Sequence, residues 1–175
     1  MSDHAAKARA PLSASAIREQ IAAAGVRFVA ALPDITTSEQ VLKPLLTDPT
    51  VRVVQVCKED EGISICAGLY AGGERSVLMM QHTGLLDSIN CLRAVAVEGA
   101  NPVCMLVGLL RNEPGLPPTQ SPRYGLRIVQ PILGAMGVEH ELLEFAGDEA
   151  CIAPAIERAY ERQRPVVLLV GGEPV

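Results

Sequence analysis

With 175 residues, 49% of them hydrophobic, the chain can build one domain with a substantial core and is too apolar to be disordered. A net charge of −5, no tryptophan and 3% aromatics leave neither a basic stripe nor a set of stacking rings, which excludes the usual kinds of nucleic-acid binder. No apolar run approaches the ~18 residues needed to span a bilayer, and the N-terminal stretch lacks the apolar segment of a secretory signal. Cys57, Cys66, Cys91, Cys104 and Cys151 are scattered without CxxC spacing, which fits a reducing, cytoplasmic setting better than disulfides or a bound metal.

Residues 1–12 read as a flexible lead-in and 13–175 as one domain. From Ser13 to Gly25, Ile17, Ile21 and Ala24 recur at helical spacing, and Gly25 marks the stop. Val26 to Leu32 is β-like and is broken by Pro33-Asp34. Ser38 is positioned to cap a short helix carrying Val41, Leu42, Leu45 and Leu46, which Pro44 bends or shortens. Val51 to Cys57 is a near-continuous apolar run, read as a central strand buried on both faces. It ends abruptly in Lys58-Glu59-Asp60-Glu61, and a small-residue helix from Gly62 to Ala71 follows.

Ser76 to Met80 is a third strand, and Gln81 to Leu86 a connection after which Asp87 caps a helix reaching Gly99. Pro102 to Gly108 is a fourth strand, followed by a Pro- and Gly-rich loop from Leu109 to Pro122. Tyr124 to Met136 is helical with an irregularity at Pro131, Val138 to Glu144 a fifth strand, Asp148 to Gln163 a helix and Pro165 to Val170 a sixth strand. Such alternation, with right-handed crossovers, gives an α/β fold: a three-layer α/β/α sandwich with a six-stranded parallel sheet.

Several familiar sites are missing. There is no GxGxxG after a strand, no phosphate-binding GxxxxGK[ST] and no GxSxG elbow. His4, His82 and His140 stand too far apart in sequence to share a metal motif. Instead, polar groups gather where strands end: Pro33, Asp34, Thr36 and Thr37; Lys58 and Glu59; Gln81, His82, Thr83 and Gly84; Arg111, Asn112 and Glu113. In a parallel sheet these loops crowd one edge, the edge on which open α/β folds place ligands. Each group also has an ordinary reading. Acids in a helix's first turn complement its dipole, and Pro-Asp or Asn-Glu-Pro-Gly sequences make turns.

The strings KEDEGISICAG, MMQHTGLLDSIN and GLLRNEPG resemble the pyrimidine-binding (PYR) domain of thiamine-diphosphate enzymes, in the group of sulfopyruvate decarboxylase alpha subunits and the matching half of phosphonopyruvate decarboxylases. The likeness runs from about Ser13 to Val170. It implies that Glu59, at the end of the second strand, contacts the cofactor's aminopyrimidine ring and exchanges the proton at N1′, best in apolar surroundings that raise its pKa. Val54, Val56, Ile63 and Ile65 are the candidate walls, with Lys58 pointing outward. By the same resemblance Gln81, Thr83 and Gly84 line the cofactor pocket, and Pro33-Asp34 reaches toward substrate. His82 is a candidate proton donor. Arg111 and Arg123 are candidate clamps for a sulfonate or phosphonate, though solvated loop arginines would look the same.

Two departures fall where substrate would sit. His82-Thr83 and Leu86-Asp87 replace the family's Asn-Ser and Gly-Asn, and Pro33-Asp34-Ile35 replaces Pro-Asp-Ser. The family holds its diphosphate and Mg²⁺ through a Gly-Asp-Gly…Asn motif on a second domain, and no such motif occurs here. The expectation is therefore an alpha subunit of a hetero-oligomeric 2-oxo acid decarboxylase, most simply sulfopyruvate to sulfoacetaldehyde and CO₂. A beta subunit would carry the diphosphate-binding domain, thiamine diphosphate would lie at the interface, and this chain would bind no metal itself. The alternatives are a phosphonopyruvate decarboxylase-like or carboligating enzyme on another 2-oxo acid, a non-catalytic α/β interaction domain, or a flavodoxin-like binding module.

Overall fold

A computed structural model describes residues 9–175. Most of the expected lead-in, His4 included, lies outside the described residues. Residues 9–12 are packed: Pro11 bridges Phe145, Leu12 is fully buried, and its carbonyl accepts the Val175 N–H at 2.9 Å.

Six strands form one all-parallel sheet in the order β2-β1-β3-β4-β6-β5. They are β1 (Phe28–Ala31), β2 (Arg52–Gln55), β3 (Ser76–Gln81), β4 (Cys104–Gly108), β5 (Glu139–Leu143) and β6 (Val166–Val170). Alternate strand residues feed two cores. Val29, Val77, Met79, Leu106 and Leu168 face α1 (Ala14–Ala23), α2 (Lys43–Thr47) and α7 (Ile152–Arg162). Leu78, Met80, Met105, Val107 and Leu169 face α3 (Glu59–Ala71), α4 (His82–Asp87), α5 (Ile89–Cys91) and α6 (Tyr124–Ala135). The result is the expected three-layer α/β/α sandwich. Its strand order reverses between β1 and β3 and again between β4 and β6, opening crevices at the carboxyl ends of those strands.

Several expectations need correction. Val51–Cys57 is not a central strand buried on both faces. β2 is the sheet's edge, with Arg52 and Gln55 exposed and Val53 and Val54 half-buried. Its apolar run arises because Val51 and Val53 pack on the α1/α2/α7 core, whereas among the described residues no strand flanks it on the side away from β1. The helix after β2 starts at Glu59, three residues earlier than Gly62. Asp87 ends α4 instead of capping the next helix; the chain turns at Ser88 into α5 and a π-wound segment, Leu92–Glu98. Ser38 does not cap a helix either. It opens a π turn (Ser38–Leu42) leading into α2, and its hydroxyl accepts the Asp34 N–H at 2.7 Å. Pro44 sits in the first turn of α2, where a missing N–H is harmless.

Candidate active site

The three acids that open α3 go to different places. Glu61 reaches back to accept the Cys57 N–H at 2.9 Å, and Asp60 accepts the Glu61 N–H at 2.9 Å. Both engage the helix's own first turn, as acids at this end do. Glu59, the first residue, turns across to α4. It is half-buried, its carboxyl lies against Gly84, and no hydrogen bond or ion pair joins that carboxyl to another described residue. Lys58 points the other way, 62% exposed, toward Asp60 at 3.8 Å and Asp87 at 3.6 Å. Of the expected apolar walls, Val56 and Ile63 are buried and Val54 and Ile65 half-buried.

The loop expected after β3 is instead the first turn of α4. Gln81, the last residue of β3, donates from its amide to the Thr83 hydroxyl at 2.6 Å, and Thr83 is exposed. His82 is buried beneath them. Its Nδ1 accepts the Leu110 N–H at 3.3 Å, which puts the proton of the neutral ring on Nε2, and Nε2 faces Gly125 at the start of α6. Burial pushes the imidazole pKa below its usual 6.5. The ring therefore joins the end of β3 to the chain just past β4 and lies against the start of α6 as a neutral group.

After β1, Pro33 and Ile35 are exposed, but Asp34 is buried. Its Oδ1 accepts the Thr36 and Thr37 N–H groups at 2.6 and 2.8 Å, and its Oδ2 accepts the Thr37 hydroxyl. This carboxylate holds its own loop and offers little to a ligand. Arg111, at φ 61°, and Arg123 are both exposed, and Arg123 Nε donates to the Arg111 carbonyl at 3.2 Å. Arg111 also borders a cleft of about 270 Å³ at the β4/β6 crevice, together with Thr36, Leu109, Asn112, Gly171 and Glu173. Two larger, shallow clefts lie near the amino ends of the strands, around Arg27 and Glu74, away from these loops.

The structure thus gathers Glu59, Gly84, Gln81 and Thr83 into one group on the β2 and β3 side, and Arg111 and Arg123 at the β4 end. Sequence reasoning missed the brace between β4, β5 and β6. Asn112 donates to Glu144 and to the Gly171 carbonyl, both at 3.0 Å, and a side chain at Gly171 would meet Asn112 at 2.9 Å. A glycine closing an apolar strand was the available signal. Among the described residues no cluster of three His, Cys, Asp or Glu side chains is arranged to hold a metal, and no helix is long and apolar enough to cross a membrane.

No family model matches the sequence. The fold is shared with a 2-oxoglutarate:ferredoxin oxidoreductase from Magnetococcus marinus (TM-score 0.63, 19% identity, covering 94% of this chain and 30% of that one). It is shared equally with benzoylformate decarboxylase from Polynucleobacter necessarius (TM-score 0.66, 19% identity, 90% of this chain and 29% of that one). The architecture is therefore the three-layer α/β/α sandwich with a six-stranded parallel sheet expected from the sequence, and these two enzymes share it.

In sequence the chain is similar to sulfopyruvate decarboxylase subunit alpha. It is 32% identical over 95 residues to that of Methanococcus maripaludis (54% of this chain, 56% of the relative). For Methanothermobacter thermautotrophicus the figure is 30% over 95 residues (54% and 57%), and for Methanocaldococcus jannaschii 24% over 92 residues (53% and 54%). The matches span about half the length of these curated relatives. The expected resemblance to sulfopyruvate decarboxylase alpha subunits is thus borne out over about half of the chain, a shorter stretch than the expected span from Ser13 to Val170.

Proposed function

We propose that this chain is the pyrimidine-binding half of a thiamine-diphosphate-dependent 2-oxo acid decarboxylase, acting on sulfopyruvate as an alpha subunit. The observation that carries the reading is the orientation of Glu59. Of three consecutive acids it alone turns from the helix end, toward the first turn of α4, with its carboxyl unclaimed by described residues. A purely dipole-complementing acid has no reason to do so.

The residues present fit the cofactor's aminopyrimidine: a half-buried carboxyl, seated in the backbone notch at Gly84, to hold a proton at N1′, and apolar walls in Val56 and Ile63. When bound, thiamine diphosphate supplies the nucleophilic carbon and electron sink that 2-oxo acid decarboxylation needs. Glu59 would hold and exchange the ring-nitrogen proton from its half-buried place against Gly84, with the Lys58 ammonium facing outward. Gln81 and Thr83, linked to one another, present the polar rim of the pocket. Arg111 and Arg123 supply guanidinium donors to the substrate's anionic group, and Pro33 borders it. For His82 the buried, engaged ring favours a part in shaping the loop over delivery of a proton.

We assign the diphosphate and Mg²⁺ to a beta subunit because the matched relatives are named as alpha subunits. A cytoplasmic setting suits the five free thiols. The test is co-expression with a partner that bears the missing segment, followed by assays on sulfopyruvate, phosphonopyruvate and pyruvate with thiamine diphosphate and Mg²⁺. CO₂ release from sulfopyruvate by the pair, and none by either chain alone, is expected. Preference for another acid moves the substrate assignment, and inactivity on all three returns the chain to an interaction domain.

A further inference from the structure

We infer that Gly84 is a positioning residue for Glu59. It fixes the carboxyl's place by leaving it room, with help from Gly62, and does not act by touching the cofactor itself. The inference rests on the catalytic reading of Glu59 for its functional consequence, but its structural content stands apart from that reading.

Gly84 is the third residue of α4 and is buried. Glycine weakens a helix relative to alanine, so its presence there calls for a local reason. The three atoms nearest to a side-chain carbon built at position 84 all belong to Glu59, Oε1, Cδ and Cγ, and each would collide with it. The carboxyl occupies the space that any other residue at 84 would fill. One turn along α3 from Glu59, a carbon at Gly62 would press into Leu78 of β3, colliding with Cδ1 and reaching Cδ2 at 3.2 Å. Without a side chain at 62, the first turn of α3 lies close on β3, which brings Glu59 over α4. The two glycines thus set the carboxyl's position: Gly62 through the approach of the helix, Gly84 through the notch that receives the side chain. Sub-ångström placement of such a group is what proton exchange at a fixed ring nitrogen demands.

Three measurements test this. Thermal unfolding of the chain alone is compared for Gly84→Ala in the wild-type and Glu59→Ala backgrounds. Gly84→Ala should lower Tm in the first and leave it unchanged or raised in the second, because the obstacle is Glu59 and alanine otherwise favours the helix. An equal loss in both backgrounds overturns the inference. In chain labelled with ¹³C at glutamate carboxyls, the Glu59 signal, assigned by its disappearance in Glu59→Gln, should shift in Gly84→Ala. An unmoved signal overturns the inference as well. In the reconstituted pair, Gly84→Ala should reduce kcat by about tenfold or more, with KM within about twofold, the pattern of a displaced acid–base group. If the first two results hold while Glu59→Gln leaves decarboxylation intact, the positioning stands and the catalytic reading alone falls.

Discussion

The carboxylate of Asp34, just past the end of β1, rests over Gly108, the last residue of β4, reaching across the end of the intervening β3. A side-chain carbon at 108 would meet Asp34 Oδ1 at 2.6 Å and Thr36 Cβ at 2.9 Å. The same carboxylate accepts two backbone N–H groups and a hydroxyl from its own loop. Asp34→Ala should therefore destabilise the chain by about 2–4 kcal/mol, since buried donors lose a charged acceptor. Gly108→Ala should be destabilising for a different reason, displacement of the loop. Urea unfolding checks both. A loss under about 0.5 kcal/mol for Asp34→Ala would show the carboxylate free to serve a ligand.

His82 gives stability a dependence on pH. Burial lowers its pKa in the folded chain below the unfolded 6.5, so between the two values the unfolded state binds more protons. The contribution is present in full above 6.5 and is lost as pH falls through the folded value. His82→Gln should flatten this part of the curve. The check is the difference in unfolding free energy between the two proteins from pH 7.5 down to 5. The wild type should lose stability faster over that range, and parallel curves would contradict the assignment.

Arg111 separates backbone strain from binding. Its φ of 61° is a conformation that costs a non-glycine residue roughly 1 kcal/mol. Arg111→Gly relieves this while adding unfolded-state entropy, so Tm should change little. In the reconstituted enzyme the same change, and Arg123→Ala, should raise KM for the anionic substrate about tenfold with a smaller effect on kcat. Unchanged KM in both would make them solvated loop arginines.

How far the sequence could be read follows from what each signal reports. The apolar runs of β3, β4 and β6 mark fully buried strands, and every expected strand is present. The run at Val51–Cys57 looked the same although β2 is an edge strand. Apolar residues record what covers a strand's faces, and lateral neighbours leave no mark on them. Gln81-His82-Thr83-Gly84 read as a connection because it contains weak helix formers. The glycine stands in the helix to make room for Glu59, a tertiary contact that propensity does not register. Topology alone placed the polar loops on one rim. Which carboxylate faced inward did not follow from it: Asp34 proved to be bound within its own turn, His82 buried and Glu59 unclaimed. Buried Glu149, which accepts the Ser13 and Gly147 N–H groups at 2.5 and 2.6 Å, had no signature beyond an acid at a helix start.

The central claim is that Glu59 carries the proton exchange, and Glu59→Gln in the reconstituted pair addresses it most directly. The amide keeps the size of the side chain and cannot exchange a proton. With both subunits, thiamine diphosphate and Mg²⁺ present, kcat should fall by about 10²-fold or more, the range of a lost acid–base group, while Tm stays close to that of the wild type. Decarboxylation within twofold of wild type would contradict the claim.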